Sequence, residues 1–134
     1  MSYEGTQQKI LVIDDDKVLL QMVSIHLEHW GYRPFTASNG EEGLRLADQE
    51  QPALILLDVL MPSMKGREVC AHLKENPKTQ KIPVIFLTAM KMPEHIKAGL
   101  DHGAEDYIVK PWESEELKER IGVCLMRHSA GPNP

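Results

Sequence analysis

The stretch Ala53-Leu54-Ile55-Leu56-Leu57-Asp58 restricts the fold of this chain more than any other. Leu54 to Leu57 show no polar alternation, so a strand made from them is buried on both faces, as in a parallel sheet covered by helices. The run ends in a single carboxylate, Asp58, and a turn signal follows at Met61-Pro62. Asp58 therefore falls at the carboxyl end of a central strand, the edge at which open α/β sheets bind their ligands.

The flanking chain repeats the same unit. Lys9-Ile10-Leu11-Val12-Ile13 reads as a strand rich in β-branched residues that stops at Asp14-Asp15-Asp16. A helix from Lys17 to Trp30 follows, with Leu19, Met22, Val23, His26, Leu27 and Trp30 at helical spacing. Asp16 is placed to cap it and Gly31 to end it. Arg33 to Ala37 is a short strand, and Pro34, which cannot donate to a ladder, puts it at an edge. Ser38-Asn39-Gly40-Glu41 has the form of a capping box and opens a helix to about Gln49. Beyond the central strand come a helix over Lys65 to Glu75 and a strand over Pro83 to Thr88. A helix over Pro93 to His102, weakened by Gly99, precedes a strand from Asp106 to Lys110 and a last helix from Ser114 to Arg127. Residues 1–8 read as a flexible leader, 9–127 as one domain, and 128–134 as a flexible tail or the start of a linker. Five βα units in succession predict an α/β protein with a parallel sheet and right-handed crossovers.

Composition narrows the function. A formal net charge of -5 leaves no basic footprint, which argues against direct nucleic-acid binding by this segment. No apolar run approaches the roughly 20 residues of a membrane span. The polar start, Met1 to Lys9, has no signal-peptide core, so a cytoplasmic location is expected. Cys70 and Cys124 fall on predicted helices and read as free, buried thiols. The histidines are scattered, and no Cys or His cluster shows metal spacing; His26 and His29, three apart, are set aside.

Four of the five strands end in polar groups: Asp14-Asp15, Asp58, Thr88 and Lys110. Parallel strands bring all of these to one sheet edge. Clustered carboxylates repel, so such a site calls for protons or a cation, and oxygen-only ligands favour a hard metal such as Mg²⁺. A carboxylate beside Mg²⁺, a lysine and a hydroxyl is suited to accepting a phosphoryl group, a transfer that depends on positioning and charge neutralisation. The carboxylate attacks without a separate general base, and the lysine binds a phosphoryl oxygen as a point charge.

These residues resemble the receiver domain of bacterial two-component response regulators. The matching signatures are Ile10 to Asp15 with its paired acids, Asp58-Val59-Leu60-Met61-Pro62, Gly66, Thr88-Ala89, and Gly103 to Pro111; together they cover about residues 9–127. The resemblance implies a flavodoxin-like (βα)5 three-layer sandwich with sheet order 2-1-3-4-5. It implies Asp58 as phosphoacceptor and a Mg²⁺ site, open also to Mn²⁺, made by Asp14, Asp15, Asp58 and the backbone carbonyl of Leu60. Thr88 matches the switch hydroxyl, Lys110 the phosphate-contacting lysine and Tyr107 the switch aromatic, and Lys110-Pro111 matches a peptide bond that is usually cis. The donor implied is a histidine kinase or histidine phosphotransfer protein. The protein would then be a signalling switch rather than an enzyme, with output through the face of the fourth helix, fifth strand and last helix to an unknown partner or an absent effector domain.

Some positions depart from the family. Leu60 and Met90 stand where many members carry polar residues, and with Met61, Met64 and Met92 they suggest an apolar rim and slow loss of the phosphoryl group by autodephosphorylation. Trp112 replaces the phenylalanine more usual after the Lys-Pro pair. Asp106, Lys97 and Arg120 carry charge types that some receivers use to form a homodimer, though solvated surface charge is the simpler reading of them. Two other readings stand against the switch. Asp14-Asp15-Asp16 formally gives the D-x-D of haloacid-dehalogenase-type phosphatases, with Asp14 as nucleophile, and a receiver-like scaffold could bind partners without phosphorylation.

Overall fold

The structure, a computed structural model, describes residues 7–59, 61, 65–89 and 103–129. Its strands are β1 (Lys9–Ile13), β2 (Arg33–Ala37), β3 (Leu54–Asp58), β4 (Val84–Thr88) and β5 (Asp106–Val109). Its helices are α1 (Lys17–His29), α2 (Gly40–Glu50), α3 (Gly66–Glu75) and a C-terminal helix (Ser114–Ser129). All strand pairs are parallel and the sheet order is β2-β1-β3-β4-β5, as expected for a flavodoxin-like α/β fold. The helix expected over Pro93 to His102 and the Leu60 carbonyl lie outside the described residues.

The unbroken apolar runs of the central strands follow from layers on both faces. Successive side chains of a strand point to opposite sides. Leu11, Ile13, Ile55, Leu57 and Phe86 therefore meet Ala47 of α2 and Val69, Cys70 and Leu73 of α3. Ile10, Val12, Leu54, Leu56, Ile85 and Leu87 meet Leu20, Val23 and Leu27 of α1 and Leu117, Ile121 and Cys124 of the C-terminal helix. Each large apolar side chain so buried contributes about 1.5–3 kcal/mol. Both cysteines are buried thiols outside any disulfide, as expected.

Local chemistry sets the element ends, with some differences from expectation. Asp16 caps α1, its side chain accepting from the Val18 and Leu19 N–H groups. The inward face of α1 is Leu20, Val23 and Leu27, whereas Met22 points to solvent with Val18 and Ile25. Apolar residues thus lie on two faces of this helix and blur its period in the sequence. The α2 cap is Asn39, which accepts from the Glu42 N–H at 2.8 Å, while Glu42 reaches back to the Ser38 N–H at 3.1 Å. The capping pair is displaced one residue from the expected Ser38 and Glu41. Gly31 closes α1 at φ +94°, and Pro34 lies in an edge strand. Before β1, Gln8 is already engaged, its carbonyl accepting from the Arg33 N–H at 2.9 Å. The C-terminal helix continues past Arg127 to Ser129, which places His128 on it. Met61, expected at an apolar rim, is instead buried in the core layer with α3.

Gly66 fixes the distance between β3 and α3. A Cβ at this position would lie 2.2 Å from the Asp58 carbonyl oxygen and 2.7 Å from Val59 Cα. The Gly66 N–H donates to the Val59 carbonyl at 2.9 Å. Only glycine permits this approach of two backbones directly behind Asp58. Gly66→Ala is expected to destabilise the protein by about 1–3 kcal/mol through overpacking, measured by urea unfolding; unchanged stability would show that the approach of α3 to the end of β3 yields freely.

Candidate functional site

Strand direction and register assemble the site. Ile13 of β1 is in register with Leu57 of β3, so the residues that follow, Asp14 and Asp58, emerge side by side. Thr88 of β4 is in register with Val109 of β5, and the Lys110 N–H donates to the Thr88 carbonyl at 2.7 Å. Every strand ends at this edge because every strand is parallel. The groups expected there from sequence are brought together by the sheet alone.

Asp14 is the buried anchor, with no solvent-accessible surface. One of its carboxylate oxygens, Oδ1, accepts from the Asp16 N–H at 2.9 Å, and the other, Oδ2, accepts from Lys110 Nζ at 2.9 Å. Lys110 Nζ also lies 3.5 Å from Asp58 Oδ1. Asp58 is only 4% exposed, whereas Asp15 is exposed at the mouth of the site. Burial alone would lower the Lys110 pKa, but the hydrogen bond and charge of Asp14, with those of Asp58, outweigh it and hold the pKa above the usual lysine value. The side chain is held as an ammonium between two buried carboxylates.

Asp14, Asp15 and Asp58 each offer a carboxylate oxygen within 4.8 Å of the others. Three carboxylates against one ammonium leave a formal excess of two negative charges. The donors are oxygen alone. This excess and this donor set fit a hard divalent cation, and the grouping is typical of a divalent metal site.

Thr88 is buried at the end of β4. Tyr107 is half-buried on β5, its ring against the core layer that faces α2 and α3. The start of β5 is tied to the C-terminal helix: Arg120 Nη1 donates to Asp106 Oδ1 at 2.7 Å and to the Tyr107 carbonyl at 3.0 Å. Asp106 and Arg120, weighed above as dimer charges, are thus partners within one chain. The Lys110-Pro111 peptide is cis, as the resemblance implied. Sequence reading missed one contributor, the Asp16 backbone N–H that orients Asp14. Its signal was the Asp-x-Asp spacing, since aspartate accepts readily from the N–H two residues on.

The chain matches the response regulator receiver domain family over residues 10–122. It is 42% identical over 119 residues to the "DNA-binding dual master transcriptional regulator RpaA" of Synechocystis, a match covering 89% of this chain and 49% of that protein. It is 40% identical over 122 residues to the alkaline phosphatase synthesis transcriptional regulatory protein PhoP of Bacillus subtilis, covering 90% of this chain and 49% of that one. The chain therefore spans about half the length of these curated relatives. Among solved structures, the receiver domain protein of Methanospirillum hungatei superposes with a TM-score of 0.87 at 29% identity, covering 93% and 98% of the two chains. The chemotaxis protein CheY4 of Vibrio cholerae gives 0.85 at 32%, covering 89% and 99%. With its sheet order, its acidic edge and these matches, the chain belongs to the response regulator receiver domain family, the phosphoacceptor module of two-component signalling.

Proposed function

We propose that Asp58 accepts a phosphoryl group from a phosphohistidine carried by a histidine kinase or histidine phosphotransfer protein. The convergence of Asp14, Asp15 and Asp58 around Lys110 is the observation that carries this reading. An Asp58 carboxylate oxygen forms the new P–O bond as the P–N bond to the donor imidazole breaks, and the electron pair of that bond returns to the imidazole nitrogen. Mg²⁺, or Mn²⁺, held by Asp14, Asp15, Asp58 and the Leu60 carbonyl, would offset charge on the phosphoryl oxygens. Asp14 is a poor alternative nucleophile, because it is fully buried and both its oxygens are already engaged. That speaks against the phosphatase reading.

The same geometry supports a switch. Lys110 Nζ, which bridges Asp14 and Asp58 in the free chain, turns to a phosphoryl oxygen, and Thr88 follows with its hydroxyl. Because the Lys110 N–H is bonded to the Thr88 carbonyl, the ends of β4 and β5 respond as a unit. Tyr107, two residues before the end of its strand, changes rotamer, and the face of β5 and the C-terminal helix is remodelled for an output partner. The relatives named above are transcriptional regulators of which this chain matches half, so the signal passes to a further segment or to a separate protein in the cytoplasm. Loss of the phosphoryl group by autodephosphorylation is slow, since apolar side chains at Leu60 and Met90 orient water poorly.

Incubated with a small phosphoryl donor and Mg²⁺, the wild-type chain is expected to gain the mass of one phosphoryl group, and both Asp58→Asn and Asp58→Ala to gain none; incorporation that survives in either variant would place the acceptor elsewhere. Leu60→Asn is expected to shorten the lifetime of the phosphorylated form, followed by the decay of that mass, and a longer lifetime would refute the rim argument. The raised Lys110 pKa fixes a pH dependence. The stability it contributes is fully present below the ordinary value of 10.5 and is lost as pH rises through the higher value of the folded state. The difference in urea midpoint between wild type and Lys110→Met should stay constant from neutral pH upward and shrink only beyond that point. A difference that shrinks near neutrality would mean that Lys110 is not held as an ammonium.

A further inference from the structure

Among the described residues, a second grouping of metal-ligating side chains lies at the other edge of the sheet. Glu105 immediately precedes β5, whereas Lys110 follows it, so the two edges are roughly 16 Å apart along the strand. Cys124 and His128 stand one helical turn apart on the C-terminal helix and project toward Glu105. A carboxylate oxygen, the Cys124 sulfur and a ring nitrogen of His128 all lie within 4.8 Å of one another.

We propose that Glu105, Cys124 and His128 form a second metal site in this chain, selective for a borderline-soft divalent cation of the Zn²⁺ class. The donor set is the first reason. Thiolate, imidazole and carboxylate together suit Zn²⁺ and not Mg²⁺, which takes oxygen ligands almost alone. Spacing is the second. Tetrahedral Zn²⁺ sets its ligand atoms roughly 3.3–3.6 Å apart, so the three groups close on an ion by small rotamer changes. Orientation is the third. Arg127 Nη1 lies 3.4 Å from Glu105 Oε2, which leaves Oε1 turned to His128 Nε2, the contact already made between those residues. An outer partner that aims a ligating carboxylate in this way is a regular part of metal sites.

Charge closes the case. Thiolate and carboxylate together neutralise a dication, so the filled site buries no net charge beside the half-buried β5. Burial and the neighbouring Glu105 carboxylate push the Cys124 thiol up to about 11 in the free chain, with Arg127 and Lys74 partly opposing. On binding, the S–H bond breaks, its proton goes to buffer and the sulfur lone pair goes to the metal. Access is from the His128 side, where the imidazole is 37% exposed while Cys124 is only 3% exposed. Three protein ligands leave the fourth position to water.

The test uses the whole chain, reduced, with excess Mg²⁺ to occupy the acidic edge, titrated with Co²⁺ and then Zn²⁺. One equivalent of Co²⁺ is expected to give a thiolate-to-cobalt charge-transfer band with tetrahedral visible absorption, and Zn²⁺ to abolish both. The band should persist in Cys70→Ser and vanish in Cys124→Ser. His128→Ala, an exposed substitution that leaves the core intact, should weaken Zn²⁺ binding by at least about tenfold and remove the rise in Tm that Zn²⁺ gives the wild type. No thiolate band, a band that survives Cys124→Ser, or affinity and Tm response unchanged in His128→Ala would each overturn the site and leave Glu105 and His128 as an ordinary surface pair.

Discussion

The structure depends on how it tolerates three carboxylates at one sheet edge. Asp14, Asp15 and Asp58 repel one another, and Asp14 and Asp58 are also buried. Removing a carboxylate from water is costly unless it is paired and hydrogen-bonded. Lys110 supplies the pairing, and the Asp16 N–H satisfies the second oxygen of Asp14. One ammonium does not balance three carboxylates, so the free protein retains an electrostatic deficit that a divalent cation relieves. This deficit can be kept only because the central strands are buried on both faces and close-packed, which holds the groups together.

The sheet passes that constraint outward. Lys110 is bonded through its backbone to Thr88, and Arg120 ties the start of β5 to the C-terminal helix through Asp106 and the Tyr107 carbonyl. A short path of covalent and hydrogen bonds thus joins the acidic edge to the C-terminal helix. β5, like β2 at the opposite side of the sheet, has a strand neighbour on one side only. Lys110 follows β5 and Glu105 precedes it, so the acidic edge and the Glu105, Cys124 and His128 grouping lie at opposite ends of a single short strand.

Much of this is legible in the sequence. The apolar run Leu54 to Leu57 required a strand buried on both sides, and polar residues after four strands required a convergent edge. Asp16 and Gly31 marked the ends of α1, and Pro34 marked an edge strand. The failures have local causes. Val18, Met22 and Ile25 are apolar but exposed, so the α1 period was ambiguous by one position. Asn39 and Ser38 are both good caps, and only the backbone path decides that Asn39 accepts while Glu42 reaches back. Met61 looks like a rim residue because a turn signal follows β3, yet its side chain is buried in the core layer with α3.

The sequence by itself determined the order of strands and helices, the two-faced burial of the sheet and the identity of the acids at its edge, because periodicity and the direction of parallel strands are local properties of the chain. Only the tertiary structure decided which groups touch. Lys110 meets Asp14 across a separation of 96 residues, Gly66 lies against the backbone of Asp58, and Glu105 meets Cys124 and His128 beyond their shared helix. Such contacts depend on strand register and on the angle at which a helix packs, and neither is written in the spacing of residues along one element.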